Sequence, residues 1–350
     1  MREKEILEEG EAAIRSCLDR VPFLKVRNIS IEPLIQGRRP DYVVLIETPG
    51  GQTNLVVEAK ANGQPRIARQ AIDQLRACSQ TIANPYTVFL APYVADATAK
   101  LLEQEGVGYI DLAGNCRLSF AQIFIEQRGR TNPHSERRDL RSLYSPKSER
   151  VLRVLLTSSQ ASWKVQELAD EAEVSIGLVS KVKRLLELRE WLDPESNGVE
   201  LRDPERALTE WSSQYRFAKH EAVGYYSFTS GAELEEQVAG AARDFGIRSA
   251  LTGFSAAVRY APAVRYQRSM VYCQGDPKLI AGKLGAKPVS SGANLTLIRP
   301  YDDGVFYAVR NQDGLPVASP VQTYLDLMSQ TARGEEAAAA LLEQVIRPSW

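Results

Sequence analysis

Two runs rich in Val, Leu and Ile, Asp41-Tyr-Val-Val-Leu-Ile-Glu-Thr48 and Thr53-Asn-Leu-Val-Val-Glu-Ala-Lys60, are separated only by Pro49-Gly50-Gly51-Gln52. Such runs joined by a short Gly-containing turn fold most simply as an antiparallel hairpin. The hairpin also decides which polar side chains meet. Glu58 and Lys60 have period-two spacing in the second strand, so both emerge on one face. Asp41, preceded by Pro40, sits at the mouth of the partner strand and can approach them. Two carboxylates at such a point can hold a Mg²⁺ whose remaining positions take water and phosphate. An ammonium beside them can orient an attacking water or stabilise charge on the phosphate. The plainer alternative is a solvated Glu and Lys at a strand end, with Asp41 capping a turn.

The surrounding pattern places the hairpin in an α/β domain. Ile6, Leu7, Ala13, Ile14 and Cys17 recur at helical spacing between Glu3 and Leu18. A strand is expected around Phe23 to Ile31, ahead of the hairpin. After it the sequence predicts a helix from Ile67 to Ile82, a strand from Thr87 to Pro92 and a helix from Ala95 to Glu105. Two further strands, Val107 to Phe120 and Gln122 to Gln127, close the segment. Gln70 and Gln74 lie four apart on one face of the first of these helices.

Pro40-Asp41…Glu58-Ala59-Lys60, with this order of elements, resembles the PD-(D/E)xK or restriction-endonuclease-like superfamily. Its core runs helix, three strands, helix, strand. The resemblance implies such a domain over residues 1–127, with Asp41 and Glu58 as metal ligands and Lys60 as the group assisting water. Gln74 is the polar residue the superfamily often carries on the following helix, and Mg²⁺ is the cofactor if the site is active. Many domains of this fold serve as DNA- or protein-binding scaffolds, so fold and cutting are separate expectations.

A length of 350 residues suggests two or three domains. With a net charge of −1 and pI about 6.3, any contact with nucleic acid must come from local patches. Cysteines 17, 78, 116 and 273 form no CxxC pair, and only His134 and His220 accompany them, which argues against a zinc site or a disulfide framework. A charged N-terminus and the lack of a long apolar span predict a cytoplasmic protein with no membrane segment.

Residues 128–147 read as a basic linker, and the stretch from Glu126 to Arg150 carries Arg128, Arg130, Arg137, Arg138, Arg141, Lys147 and Arg150. Such a linker can add phosphate contacts beside a DNA-binding module. Over 148–205 the sequence predicts helices at Glu149–Leu156, Val165–Ala172 and Ile176–Trp191, the last N-capped by Ser175. Val179, Val182, Leu185 and Leu186 form its inward face. Gly177, Ser180, Lys181, Lys183 and Arg184 lie opposite. An Asn197-Gly198 turn between short extended pieces, Leu192 to Leu201, completes a hairpin.

The pattern Glu167-Leu168-Ala169, Val174-Ser175, Val179-Ser180 and Leu185-Leu186-Glu187 resembles the winged helix-turn-helix family of bacterial transcriptional regulators. There the third helix enters the major groove. By position this implies groove contacts for Ser175, Ile176, Gly177, Ser180, Lys181 and Arg184, and a phosphate contact for Lys183.

Residues 206–350 read as another α/β unit. Expected elements are a helix at Ala232–Phe245, strands at Met270–Cys273, Asn294–Arg299 and Val305–Arg310, and helices at Pro320–Gln330 and Glu335–Val345. Ala250-Leu-Thr-Gly-Phe-Ser-Ala-Ala257, with Ser319-Pro-Val-Gln-Thr-Tyr-Leu-Asp-Leu327 and Arg333-Gly-Glu-Glu-Ala-Ala338, resembles the AbiEi-type family of winged-helix antitoxins and regulators of type IV toxin–antitoxin systems. The C-terminal domain then reads as degenerate and nucleotidyltransferase-like. Gly253-Phe254-Ser255 departs from the expected Gly-Ser turn, and Asp302-Asp303-Gly304 is a turn rather than an Asp-x-Asp strand, so partner or regulatory contact is expected there. The chain as a whole is expected to be an antitoxin-type regulator binding double-stranded DNA, with a cognate toxin or other protein and a second copy of itself as further partners. The alternative is a Mg²⁺-dependent DNA endonuclease targeted by the winged helix.

Overall fold

In the computed structural model the hairpin forms between strands β2 (Tyr42–Thr48) and β3 (Gly51–Ala59), paired from Tyr42 opposite Val57 to Thr48 opposite Gly51. Gly51 takes a φ of +122°, the conformation that makes glycine necessary in this turn. The described residues are 3–130, 143–158, 161–330 and 333–350; residues 131–142, the heart of the expected basic linker, lie outside them. The chain divides into two units, Met1–Leu140 with Leu186–Glu190, and Arg141–Leu185 with Trp191–Trp350.

In the first unit, helix α1 (Glu3–Leu18) precedes β1 (Lys25–Ile31) and the hairpin; α2 (Pro65–Ser79), β4 (Pro85–Ala91), α3 (Asp96–Gln104), β5 (Gly108–Asp111), β6 (Cys116–Phe120) and β7 (Ile123–Gln127) follow. This is the helix, three strands, helix, strand order expected. The seven strands lie in sequence order in one sheet, with β3–β4 and β4–β5 parallel. One face buries Tyr42, Val44, Ile46, Leu55 and Val57 against Ile6, Ile14 and Leu18 of α1. The other buries Val56 and Phe89 against Ala68, Ile72 and Leu75 of α2. Coverage on both faces is why Leu55-Val56-Val57 is apolar without alternation.

One expected strand is two. Val107–Phe120 breaks between β5 and β6, where Asp111 accepts from the backbone and side-chain nitrogens of Asn115 (2.8 and 2.9 Å) and from Val94 N (3.1 Å), with Gly114 at φ +96°. The Asp-to-Asn spacing with Gly between is a turn signal that the flanking apolar residues obscure.

The second unit begins with α4 (Pro146–Thr157) and α5 (Val165–Glu171), and α6 (Ile176–Leu188) belongs to it as far as Leu185. The last ends before Trp191, shorter than expected. Leu192 bridges Leu201 and Val199 bridges Trp163, so the expected hairpin also gains a third extended piece. At Gly198 an added Cβ would lie 2.6 Å from Trp163 O, so only glycine permits that piece to approach so closely.

A second seven-stranded sheet follows, in the order β11 (Lys287–Pro288), β8 (Glu221–Tyr226), β12 (Leu295–Arg299), β10 (Ser269–Cys273), β9 (Ser249–Leu251), β14 (Leu315–Val317), β13 (Arg310–Gln312). The predicted strand Val305–Arg310 is not formed. Asp303–Phe306 is a 3-10 turn in which Asp302 accepts from Gly304 N (2.8 Å), and the strand begins at Arg310. Carboxylate capping of its own backbone competes there with the sheet. The helices Pro204–Gln214 and Pro277–Lys283, and strand β8, were not expected; each helix starts at an Asp-Pro pair, with Asp203 and Asp276 as side-chain caps.

A buried polar network joins α4 to this sheet. Arg153 donates to Gln322 Oε1 (2.9 and 2.7 Å), and Gln322 donates to Asp326 Oδ1 (3.0 Å). Asp326 also accepts from Tyr215 and Tyr272 (both 2.9 Å), and His220 Nε2 lies 2.7 Å from the Tyr215 hydroxyl. Burial raises the Asp326 carboxyl despite these donors. It also lowers His220 to about 3, with Arg153 and Lys219 adding repulsion, so the imidazole is neutral. No helix among the described residues is long and apolar enough to cross a membrane.

Candidate functional site

The carboxylate–lysine site follows from strand register. Extending the ladder one step beyond Tyr42 opposite Val57 sets Asp41 opposite Glu58. Directly opposed residues of an antiparallel pair share a face. Tyr42 and Val57 point into the α1 side, so Asp41 and Glu58 emerge on the α2 side, and Lys60 follows two positions on. The structure therefore brings Asp41, Glu58 and Lys60 together as the sequence predicted.

Lys60 Nζ lies 2.6 Å from Glu58 Oε1, and Glu58 is only 7% exposed. Asp41 Oδ2 accepts from Ala59 N at 2.6 Å, which ties the carboxylate across the ladder. The Cys78 thiol, on the facing side of α2, is raised first by burial and then by the charges of Glu58 and Asp41, with Arg38 acting in the opposite sense. Both carboxylates and the Arg38 guanidinium therefore act on one small region.

A cleft of about 500 Å³ opens over Lys60 and is lined by Ala61, Asn62, Ile67, Gln70, Asp73 and Gln74. Gln74 thus reaches the same cleft as Lys60. Asn62 and Asp73 were missed by the sequence reading. Asp73 is exposed and precedes Gln74, and only the packing of α2 shows that it faces the site. Among the described residues no group of three or more His, Cys, Asp or Glu side chains is placed to hold a metal. The donor set is the pair Asp41 and Glu58, hard oxygen ligands of the kind Mg²⁺ accepts when water completes its shell.

The second candidate surface lies on α6. Val179, Val182, Leu185 and Leu186 are buried, as their spacing predicted. Ser175, Ile176, Gly177, Ser180, Lys181 and Arg184 are exposed. Ser175 Oγ accepts from Leu178 N (3.3 Å), the expected cap. Lys183 departs from expectation: it is half-buried and engaged by other groups. It sits on the flank between the two faces, one residue from buried Val182.

Residues 200–347 match a family model described as a transcriptional regulator, the AbiEi antitoxin of a type IV toxin–antitoxin system. The resemblance read from Ala250–Ala257 and Ser319–Ala338 is borne out over that stretch. No curated protein matches the chain. Among solved structures it is similar to a repair endonuclease from Pyrococcus abyssi, at 20% identity over 29% of this chain and 46% of that one, with TM-score 0.22. EndoMS in its apo form is similar at 20% identity over 32% and 46%, with TM-score 0.22. SfsA of Pyrococcus furiosus in complex with Ca²⁺ is similar at 18% identity over 35% and 63%, with TM-score 0.17. The chain spans 46% of the length of the first two.

Proposed function

Taking the match of residues 200–347 to AbiEi-type regulators as premise, we propose that this protein is a DNA-binding regulator of antitoxin type whose α6 reads double-stranded DNA. The observation that carries this reading is the division of α6 into an apolar face that is buried and a face of Ser, Gly, Lys and Arg that is exposed. A helix presented in this way fits the major groove, where Lys181 and Arg184 meet guanine edges or phosphates. Ile176, exposed at the helix start, suits contact with a thymine methyl. The short piece through Asn197 and Gly198 is the wing. Paired half-sites would call for a homodimer, and a cognate toxin is the protein partner this reading implies. The test is binding to the DNA upstream of the gene. Substitution of Lys181 and Arg184 by Ala should weaken it at moderate salt, and unchanged affinity would remove α6 as the reading element.

A second reading is favoured by the register that opposes Asp41 to Glu58 beside Lys60. In it the first unit is a Mg²⁺-dependent DNA endonuclease. Asp41 and Glu58 would hold the ion, which polarises the phosphate and lowers the pKa of bound water. Lys60 would position that water, and Gln74 would help to order it. Incubation with supercoiled, linear and branched DNA and Mg²⁺ or Mn²⁺, with Lys60→Ala as control, decides between cutting and scaffold.

A further inference from the structure

We propose that the tight hairpin Ile35–Arg38 and the adjoining Arg39 form a phosphate-holding edge of the first unit, which seats the backbone of duplex DNA beside Asp41 and Glu58. The inference requires that the chain binds duplex DNA, but neither that α6 is the reading helix nor that DNA is cut.

Ile35 and Arg38 exchange backbone hydrogen bonds of 2.8 and 2.9 Å, with Gln36 and Gly37 at φ +48° and +80°. Two successive positive φ values are the mark of a type I′ turn, which holds the two strands it joins in one geometry. Pro40 is buried, anchoring the segment on its other side, and it keeps Arg39 out of the helical region. Two arginines are thus presented from a fixed platform immediately before Asp41.

Arg15, Arg27, Arg76, Arg117 and Arg128 of the same unit each lie within ion-pair distance of a glutamate. Arg38 and Arg39 are exposed, and no described carboxylate lies within that distance of either. Arg38 nevertheless lies near enough to the site to act on Cys78 together with Glu58 and Asp41.

Phosphate chemistry requires such a counter-charge. The Lys60 ammonium is already taken by Glu58 at 2.6 Å, so it is not free to meet a phosphodiester. A backbone approaching that end of the β2–β3 ladder therefore needs cations from elsewhere, and guanidinium groups match phosphate oxygens in a two-pronged fashion. The exposed positions of Arg38 and Arg39 supply them.

The experiment uses the full chain and a fluorescent 30-base-pair duplex without the upstream sequence, titrated from about 50 to 200 mM salt. Arg38→Ala with Arg39→Ala should weaken binding about tenfold at the higher salt. It should also lower the slope of log affinity against log salt by about 1.8, two phosphate contacts at 0.9 each. Arg38→Lys with Arg39→Lys should keep most of the slope, since charge is retained while the fork is lost. The same pair of alanines is then placed in a Lys181→Ala, Arg184→Ala background. A persisting loss there assigns the effect to the first unit whatever becomes of α6. Unchanged affinity and slope in both backgrounds would overturn the proposal, as would the absence of duplex binding by the parent chain. A melting temperature equal to the parent's excludes misfolding as the cause.

Discussion

Asp41, one residue before β2, accepts a hydrogen bond from Ala59 N through Oδ2 at 2.6 Å, which ties its carboxylate to the end of β3 next to Glu58. Lys60 neutralises Glu58 from two positions along the same strand. A mostly buried carboxylate left without that partner is costly. The ion pair therefore compensates the Glu58 charge whether or not an ion arrives, and metal binding has to be tested apart from activity.

If the pair holds Mg²⁺, millimolar Mg²⁺ should raise the melting temperature of the parent chain, and chelation should reverse the rise. At a hundred times the dissociation constant the expected gain is about 2.7 kcal/mol. Asp41→Asn combined with Glu58→Gln should abolish it. The readout is differential scanning fluorimetry, and an equal shift in parent and variant would show that the ion binds elsewhere.

On α6, Gly177 has open space around the position of a missing Cβ. Gly177→Ala should leave stability the same or raise it by up to about 1 kcal/mol, because alanine is the better helix former. Close approach to a groove would suffer, and affinity for the upstream DNA should fall several-fold. Comparing melting with anisotropy separates the two effects; a loss of stability instead would place Gly177 in the packing.

Gly198→Ala tests the approach of the Trp163 segment to the extended piece at Val199. The new methyl would stand 2.6 Å from Trp163 O, a contact that backbone must move to relieve. Destabilisation of about 1–3 kcal/mol is expected, with faster amide exchange at Val199 and Trp163, whose backbones exchange hydrogen bonds. Retained protection at both amides would mean that the strands tolerate the methyl.

The buried His220 gives a pH signature. Its pKa falls from 6.5 to about 3, through burial first and then Arg153 and Lys219. The unfolded chain takes up this proton near pH 6.5 and the folded chain only near 3. Its contribution to stability is therefore complete above about 6.5 and is lost toward 3, at about 1.4 kcal/mol per pH unit. Asp326, raised by burial, works the other way: the folded state takes its proton first, so stability is recovered toward acid. His220→Asn keeps Asp326 and removes the imidazole. The stability gap between parent and variant, from urea denaturation, should narrow from pH 7 to pH 4; a constant gap would mean that His220 titrates alike in both states.

Much of the first unit was legible because its signals are local. A short Gly turn between apolar runs fixes a hairpin, and period two fixes the side on which Glu58 and Lys60 emerge. The buried face of α6 was legible for the same reason, with period 3.6 in place of two. The strand expected at Val305–Arg310 failed because Asp302 caps a 3-10 turn, an interaction that hydropathy does not register. The helices Pro204–Gln214 and Pro277–Lys283 were missed although Asp-Pro starts each, since their apolar stripes are short.

By itself the sequence determined the two carboxylates and the lysine, their hairpin, and the inward and outward faces of α6, all through spacings of four residues or fewer or one tight turn. Only the tertiary structure decided what surrounds them. The packing of α2 brought Asp73 and Asn62 to the cleft over Lys60. Long-range contact joined Arg153 to Gln322, 169 positions apart, within one buried network. Such neighbours carry no periodicity, because they are chosen when sheets and helices bury their apolar faces against one another and not when any single element forms.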